Sequence, residues 1–255
     1  MSKWDPERYL QFKNQRTQPA VDLAMRVKKY NPKSIVDLGC GPGNSTDVLH
    51  KCFKESKIIG IDNSKEMIDK AKANYPDLKF EVCSATDITD KYDMIFSNAC
   101  IQWIPEHHRL LPKLFDNLNK NGVLAIQIPI NAEEPLLKIM DETVREEKWG
   151  FNETLIETNA TLLPEEYFDI LSSLTNEFDI WETVYYHKMP SVDSMVDWIK
   201  GTRLRPYINA LDEKTADKLI TRITEEAKAI YKVQRNGEFI FRFRRLFMTA
   251  VKLGD

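Results

Sequence analysis

From residue 33 to residue 130 the chain alternates short apolar runs with segments of helical periodicity, and this alternation restricts the possible folds more than any other feature. Between the runs, apolar residues recur three and four positions apart, as on one face of a helix. The runs are rich in isoleucine and valine, have the length of buried parallel strands, and cover residues 34–38, 57–62, 78–82, 92–97 and 122–129. Strand–helix–strand repeats give right-handed crossovers and a parallel sheet covered by helices on both faces. The sequence therefore predicts an α/β fold.

The rest of the chain continues as further helices and two more candidate strands. The pattern predicts helices at about 133–148 and 164–174, an alternating strand at 178–189 and an extended segment at 238–252. The stretch from 190 to 236 is mostly helical. Because no repeat, low-complexity tract or linker divides the chain, we expect a single domain over 1–255, with 190–236 inserted before the last strand as a helical cap over the carboxyl edge of the sheet.

Composition argues against several classes of partner. The chain has 255 residues and a formal net charge of only −3, so its overall electrostatic field does not favour binding to nucleic acid or to an anionic membrane. The first residues lack the apolar core of a signal peptide, and no run approaches the roughly 20 apolar residues of a membrane span. We therefore expect a soluble cytoplasmic protein with no obligate protein partner.

The cysteines and histidines do not form a metal-binding pattern. Four cysteines lie far apart without a CxxC pair, and the histidines are not clustered beside them. We expect reduced thiols and no metal. His107 and His108 follow Pro105 at the start of a predicted helix and are expected to face solvent.

A glycine loop follows the first predicted strand, in the stretch "VDLGCGPGNS" at residues 36–45. Gly39, Gly41 and Gly43 permit positive φ and let a ligand approach the backbone, at a sheet position where α/β proteins bind ligands. The spacing differs from the dinucleotide fingerprint GxGxxG, since Asn44 stands where its third glycine would be. Asn44 or Ser45 is expected to cap the next helix, as Ser64 is for the one after.

Two aspartates narrow the choice of ligand. Asp62 ends the second predicted strand, where a carboxylate can accept both hydrogen bonds from a ribose diol, a feature that NAD and S-adenosylmethionine sites share. Asp37 lies just ahead of the loop, where its charge would repel a pyrophosphate but attract a methionine ammonium group. A sulfonium cofactor therefore fits the sequence better than a dinucleotide.

The motifs "VDLGCGPGNST", "GIDNSKEMI" and "FSNACIQWIP" resemble the successive motifs of class I S-adenosylmethionine-dependent methyltransferases. The resemblance implies a Rossmann-like, mostly parallel seven-stranded sheet with an antiparallel last strand, a cofactor-binding core over 30–130, and an N-terminal lid over 1–18. The motifs "DIWETVYYHKMPS", "VDWIKGTRLRPYI" and "FRRLF" are similar to those of bacterial members that methylate a carboxylate of a small tricarboxylic acid.

The resemblance also implies the role of each cofactor-binding residue. Asp37 and the three glycines line the methionine moiety, and Asp62 binds the ribose. The remaining contacts fall on Asn63, Met67, Ser84, Ala85, Asn98 and Ala99. The chain departs from many relatives at Ser84, where an acid often binds the adenine amino group.

Methyl transfer to a carboxylate requires little acid–base catalysis. With a pKa near ~4 the carboxylate is already ionised at neutral pH, so no general base is required. The protein must instead hold the acceptor oxygen in line with the methyl group and the sulfur, and such positioning can supply about 7–11 kcal/mol. Trp103, Tyr186 and His187 are the candidates for this positioning.

The tricarboxylate needs counter-charges, and arginine suits carboxylates because its planar fork binds them at two points. Arg203, Arg205 and Arg245 are the leading candidates, and Arg16 is a further one on the predicted lid. Along a strand, Arg242 and Arg244 point one way and Arg245 the other. We therefore expect Arg242 to lie on the surface.

Three alternative functions remain open at this point. The first is the same chemistry directed at a different small organic acid, the second is a binding module that has kept the fold without catalysis, and the third is methylation of RNA. The intact Asp37, glycine loop and Asp62 argue against the second. An RNA enzyme acting on exocyclic amines would carry an NPPY-like tetrapeptide where this chain reads "SNAC".

Overall fold

The computed structural model describes residues 13–151 and 160–254, and the side chains of residues 13–16 are not described. Most of the predicted lid at 1–18 therefore lies outside the described residues, as does the side chain of Arg16. None of the helices that are described combines the length and the apolar character needed to cross a bilayer.

Seven strands of the described residues form one sheet. Their bounds are β1 (Ser34–Leu38), β2 (Lys57–Asp62), β3 (Lys79–Val82), β4 (Tyr92–Asn98), β5 (Leu118–Pro129), β6 (Phe178–Met189) and β7 (Phe239–Val251). The order across the sheet is β3-β2-β1-β4-β5-β7-β6. β1, β2, β3, β4 and β5 pair in parallel, whereas β7 runs antiparallel to β5. The predicted sheet with an antiparallel last strand is confirmed.

The helices of the described chain fall between these strands. They are α1 (Lys13–Val27), α2 (Asn44–Cys52), α3 (Lys65–Asn74), α4 (His107–Asp116), α5 (Pro135–Val144), α6 (Pro164–Leu174), α7 (Val192–Lys200), α8 (Arg205–Ala210) and α9 (Glu213–Ile230). Short 3-10 helices cover Lys28–Tyr30, Ile101–Trp103 and Glu147–Trp149.

The first half of the sheet is positioned by buried, strongly apolar strands. Ile35, Val36 and Leu38 of β1 are fully buried, as are Met94 and Ile95 of β4. Because β1 lies between β2 and β4, its carboxyl end is central to this edge of the sheet. A residue placed there is held by strands on both sides.

Two predicted helix boundaries are wrong. The helix expected at 133–148 covers only Pro135–Val144. Proline can begin a helix because its missing N–H is not needed in the first turn. At the other end, the N–H groups of Arg145 and Glu146 bond the carbonyls three residues back, and such tight turns close a helix.

The chain divides into two compact units. Among the described residues, the sheet unit comprises 16–129, 160–183 and 245–254. The cap unit comprises 13–15, 130–151 and 184–244.

The cap unit has a core of its own. Helix α9 packs against α5 and α7, and their apolar faces meet in a cluster that includes Met140, Met195 and Ile223. The amino-terminal part of β7 adds Phe241 and Phe243, whose rings meet edge to face at 4.8 Å. The α7–α9 segment is therefore held together by a core, not by a few surface contacts.

The glycine loop offers a test of how tightly the end of β1 is packed. Gly39 and Gly41 both have positive φ, 61° and 53°. A Cβ at Gly39 would overlap Cys100 Sγ, whereas one at Gly41 meets no described atom within 4 Å. We expect Gly39→Ala to lower the free energy of unfolding by about 2–5 kcal/mol, from overpacking plus backbone strain.

Gly41→Ala is the matched control, because it carries the backbone strain without the overlap. Its expected cost is about 1–2 kcal/mol. Urea unfolding of the two variants makes the comparison, and equal losses would show that Cys100 moves aside freely.

Candidate active site

Asp37 is a fully buried carboxylate at the carboxyl end of β1. Its Oδ2 accepts hydrogen bonds from Ser45 Oγ at 2.6 Å and Thr46 Oγ1 at 2.7 Å. Its buried Oδ1 has no hydrogen-bond partner among the described residues. Burial raises the pKa of Asp37 to about 7, although both hydroxyl bonds oppose the shift. The carboxylate is thus short of a cationic or donor partner.

The hydroxyls of Ser45 and Thr46 explain why the predicted side-chain cap of α2 is wrong. The N-cap residue is Gly43, with φ 94°, and no side chain caps the helix. Ser45 lies in the first turn, where it donates to Asp37 instead. By contrast, Ser64 caps α3 as predicted, accepting from Met67 N at 3.3 Å.

Asp62 lies at the carboxyl end of β2 and ties the glycine loop to that strand. Its Oδ2 accepts from the Gly41 N–H at 3.0 Å, and its Oδ1 accepts from the Ser64 N–H at 2.8 Å. A carboxylate offers about four lone-pair positions, so two remain for a ligand. Asp62 is half-buried, which leaves it accessible to a diol.

The remaining cofactor candidates of this edge differ in exposure. Asn63 is exposed and Met67 half-buried at the start of α3. Ser84 Oγ lies 2.8 Å from Thr86 Oγ1 and accepts from the Thr86 N–H at 3.2 Å, so it is engaged within its own turn. Ala85 is buried.

β4 ends in a strained turn. Ala99 has φ 55°, a left-handed conformation uncommon for a residue with a side chain, and its N–H donates to Gln127 O at 2.9 Å. Asn98 Oδ1, just before it, is buried without a described partner. The turn leads into the 3-10 helix Ile101–Trp103, where the side chain of Trp103 is 53% exposed.

The prediction that His107 faces solvent is wrong, because it is buried with both ring nitrogens in use. Nε2 lies 2.8 Å from Ile101 O, and Nδ1 lies 2.5 Å from Tyr167 Oη. A carbonyl can only accept, so Nε2 carries the proton and Nδ1 accepts from the tyrosine. Tyr167 Oη in turn accepts from the Leu162 N–H at 3.3 Å. This chain of bonds joins the segment that carries Trp103 to α4 and α6.

Tyr186 and His187 point to opposite faces of β6. Tyr186 is 63% exposed, whereas His187 is 8% exposed. The His187 ring stacks on Trp198 at 5.1 Å and lies 5.4 Å from Phe243. The two side chains are therefore not brought together, and His187 belongs to an aromatic cluster of the cap unit.

The arginine candidates also have different surroundings. Arg205 is exposed at the start of α8, and Arg245 is 8% exposed in the sheet unit. Arg242 is exposed, as expected, with Nε 3.8 Å from the buried Glu134.

Arg203 is already paired with an acid. Its Nη2 lies 3.2 Å and 3.3 Å from the two oxygens of Asp141, and both side chains are half-buried. Burial raises the pKa of Asp141, and the Arg203 charge opposes that shift. The pair fixes the guanidinium, which keeps further N–H donors for another ligand.

Several polar residues of this edge were not predicted from the sequence as part of the site. The sequence predicts Ser45 as a possible helix cap and does not single out Thr46, and Gln102, whose Nε2 donates to Ala99 O at 2.7 Å, lies in a short 3-10 helix. Gln127 is fully buried in β5. Only Gln127 leaves a clear sequence signal, as a polar residue within the apolar run "GVLAIQIP".

The arrangement fits a cationic amino-acid and ribose ligand. Asp37 has an unsatisfied buried oxygen, Gly41 leaves room for close approach, and Asp62 keeps acceptor capacity. Across the described ranges, no group of three or more His, Cys, Asp or Glu side chains is arranged to hold a metal ion.

Known proteins match both the sequence and the fold. A family described as a methyltransferase domain matches residues 31–193. The trans-aconitate 2-methyltransferase of Escherichia coli O157:H7 (strain EC4115 / EHEC) is 41% identical over 254 residues, covering 98% of each chain.

Two solved structures share the fold at low identity. The YcgJ protein of Bacillus subtilis has a TM-score of 0.60 at 17% identity, covering 93% of this chain and all of that one. The plantazolicin methyltransferase BpumL, in complex with SAH, has a TM-score of 0.51 at 16% identity, covering 98% of this chain and 91% of that one.

The buried His107 predicts an acid-sensitive fold. Burial lowers the pKa of His107 below its ordinary 6.5. Its stabilising contribution is therefore complete above pH 6.5 and is lost as the pH falls through the lower folded-state pKa. We expect the free energy of unfolding to decrease in that range, and we expect His107→Gln to remove this part of the pH dependence in denaturant titrations. An identical pH profile in the variant would contradict the assignment.

Proposed function

The chain belongs to the methyltransferase family that includes the trans-aconitate 2-methyltransferases, and we propose that it transfers the methyl group of S-adenosylmethionine to one carboxylate of trans-aconitate. The products are a monomethyl ester and S-adenosylhomocysteine. This is the carboxylate O-methyltransferase activity that the sequence motifs imply.

One observation supports the reaction class above others. Asp37 and Asp62 end neighbouring strands on either side of a glycine loop, and the buried Asp37 Oδ1 has no partner within the described chain. Asp37 would repel a pyrophosphate beside the loop, whereas a ligand with an ammonium group for Asp37 and a ribose for Asp62 is suited to this arrangement. S-adenosylmethionine carries both, together with the electrophilic methyl group on sulfur.

The cofactor contacts follow from this arrangement. Asp37 binds the ammonium group, directly or through water, and Asp62 accepts from the ribose hydroxyls. Glycines 39, 41 and 43 let the methionine moiety lie against the backbone. The contacts of Asn63, Met67, Ser84, Ala85, Asn98 and Ala99 rest on the family resemblance.

Positioning is the main catalytic contribution of the chain. The acceptor carboxylate is ionised at neutral pH, so no side chain has to remove a proton. Trp103 presents an aromatic face, which attracts a sulfonium and limits where the acceptor lies. Tyr186 and His187 remain proposed positioning residues, although the stacking of His187 on Trp198 favours a supporting role for it.

Arginines supply the counter-charges for the carboxylates that are not methylated. We propose Arg203, Arg205, Arg245 and Arg16 for this role. A guanidinium suits it because it binds a carboxylate with two parallel hydrogen bonds and remains charged throughout.

The cellular location and the absence of macromolecular partners are also proposals. We propose a cytoplasmic protein that needs no nucleic acid, membrane or obligate protein partner. The near-neutral net charge of −3 supports the absence of nucleic acid and membrane partners.

A panel of carboxylic acids tests the substrate. We expect S-adenosylhomocysteine to form with trans-aconitate, together with a singly methylated ester visible by mass spectrometry. Citrate and fumarate serve as controls, because they differ from it in geometry and in carboxylate number. Turnover with another acid only would reassign the substrate, and no turnover with any acid would reduce the chain to a binding module.

Arg205→Met and Arg245→Met test the anion contacts. Methionine keeps much of the stem volume but removes the charge that a bound carboxylate needs. We expect kcat/KM for trans-aconitate to fall by ~2–4 kcal/mol, about 30-fold to 1,000-fold, with little change in S-adenosylhomocysteine affinity. Arg242→Met is the control in the same strand, because Arg242 is exposed and the buried Glu134 beside it keeps its hydrogen bond from Tyr231 Oη.

Arg203 requires a different variant, because Arg203→Met would leave the half-buried Asp141 without its partner. The double variant Arg203→Met with Asp141→Leu removes both charges and limits the loss of stability. If these arginine variants fold and keep the wild-type kcat/KM, the carboxylates are held elsewhere.

A further inference from the structure

Gln127 carries a buried amide that the fold itself does not use. The residue lies near the carboxyl end of β5 and is fully buried. Neither Oε1 nor Nε2 of its side chain has a hydrogen-bond partner in the described part of the chain. Leaving such a group unsatisfied costs about 1–3 kcal/mol. Its neighbours Ile126 and Ile128 are apolar, and a leucine at 127 would avoid this cost.

The register of the sheet places this amide beside the cofactor edge. Asn98 of β4 is the register partner of Gln127 in a parallel pair, so both side chains lie on one face. Asp37 pairs with Phe96, two residues before Asn98, which puts Asp37 on that same face. Three adjacent strands therefore each place an unsatisfied polar atom there: Asp37 Oδ1, Asn98 Oδ1 and the Gln127 amide.

The order of the strands separates the residues proposed to bind the cofactor from Gln127, which lies further along this face. Asp37 on β1 is proposed to bind the methionine ammonium group, and Asn98 on β4 is proposed to contact the cofactor. Gln127 lies one strand further, about 5 Å from Asn98 across the sheet and away from the Asp62 side. A ligand group at Gln127 would thus lie beyond the residues proposed for the cofactor, on the side away from Asp62.

The chemistry of methyl transfer favours an amide over an arginine at the acceptor. One carboxylate oxygen forms a bond to the methyl carbon while the methyl–sulfur bond breaks, the electron pair stays on sulfur, and no proton moves. The carboxylate loses its negative charge in this step. An arginine paired with it would stabilise the reactant more than the transition state and so slow the reaction. A neutral N–H donor orients the oxygen with a smaller penalty.

We propose that the side-chain amide of Gln127 donates a hydrogen bond from Nε2 to the carboxylate that accepts the methyl group. The proposal rests on the proposed carboxylate methyltransferase activity and extends it, because it separates the reacting carboxylate, held by a neutral amide, from the other carboxylates, held by arginines.

Gln127→Leu tests this assignment, with Gln127→Met as a second variant should leucine fit poorly. The loss of one hydrogen bond to a charged group predicts a fall in kcat/KM for trans-aconitate of about 10-fold to 100-fold. Calorimetry with the protein saturated by S-adenosylhomocysteine should show weaker trans-aconitate binding. The affinity for S-adenosylhomocysteine itself and the free energy of unfolding should not fall, because neither depends on the amide.

Ser97→Ala is the matched control. Ser97 is also buried, is the residue before Asn98, and faces the opposite side of the sheet. We expect wild-type kinetics from it.

Three results would overturn the proposal: unchanged kcat/KM and trans-aconitate binding in both Gln127 variants, an equal loss of S-adenosylhomocysteine affinity, or the same catalytic loss in Ser97→Ala. The wild-type product assay reports separately on the proposed function. If the wild type methylates a different carboxylic acid, the variants are measured with that acid, and if it methylates none, the Gln127 assignment fails with the function.

Discussion

The buried carboxylate of Asp37 is the constraint on which the cofactor edge depends. Two hydroxyls from the first turn of α2 hold Oδ2 and thereby fix the helix against the end of β1. They do not fully compensate the burial, since the pKa of Asp37 is still raised to about 7. A buried acid in this condition gains most from a ligand that brings positive charge, because the attraction acts where little water screens it. The fold thus holds a carboxylate at some cost to its own stability, and an ammonium group would remove that cost.

Charge also explains why the edge contains different polar groups at different strands. Binding an ammonium group calls for an acid, which β1 supplies through Asp37, whereas Asp62 of β2 is proposed to accept hydrogen bonds from the ribose. Holding carboxylates that stay charged calls for arginine. The reacting carboxylate is different, because its charge disappears during the transfer. A strong ion pair would have to be broken in the transition state, whereas an uncharged amide need not be. Under the proposed function, aspartate therefore binds the positive charge of the cofactor, arginine binds the carboxylates that stay charged, and the amide binds the carboxylate that loses its charge.

The sequence predicted the sheet well because each strand carries its own signal. The apolar runs at 34–38 and 57–62 coincide with β1 and β2, and the glycines that follow β1 all have positive φ. It failed where a residue's role depends on a distant partner. Ser45 looks like a helix cap but bonds Asp37, and His107 looks like a surface residue but bonds Ile101 and Tyr167. Local propensity cannot distinguish these outcomes, because the competing bond comes from another element. The roles of individual site residues therefore rest on the family resemblance and on the contacts described above.

Gln127 is intermediate between residues whose role the sequence predicts and residues whose role depends on a distant partner. A glutamine within an apolar strand is visible in the sequence as a conflict between residue type and environment, and such conflicts gather at functional sites. The conflict alone does not indicate a ligand, since a neighbouring side chain could satisfy the amide. The register with Asn98, together with the absence of any hydrogen bond between the side-chain amide and the described residues, points to a ligand. The same reasoning distinguishes it from His107, which is equally polar and equally buried but has both nitrogens satisfied within the fold. His107 therefore stabilises the fold, whereas the Gln127 amide, which the register places beside the cofactor edge, is better explained by what the protein binds.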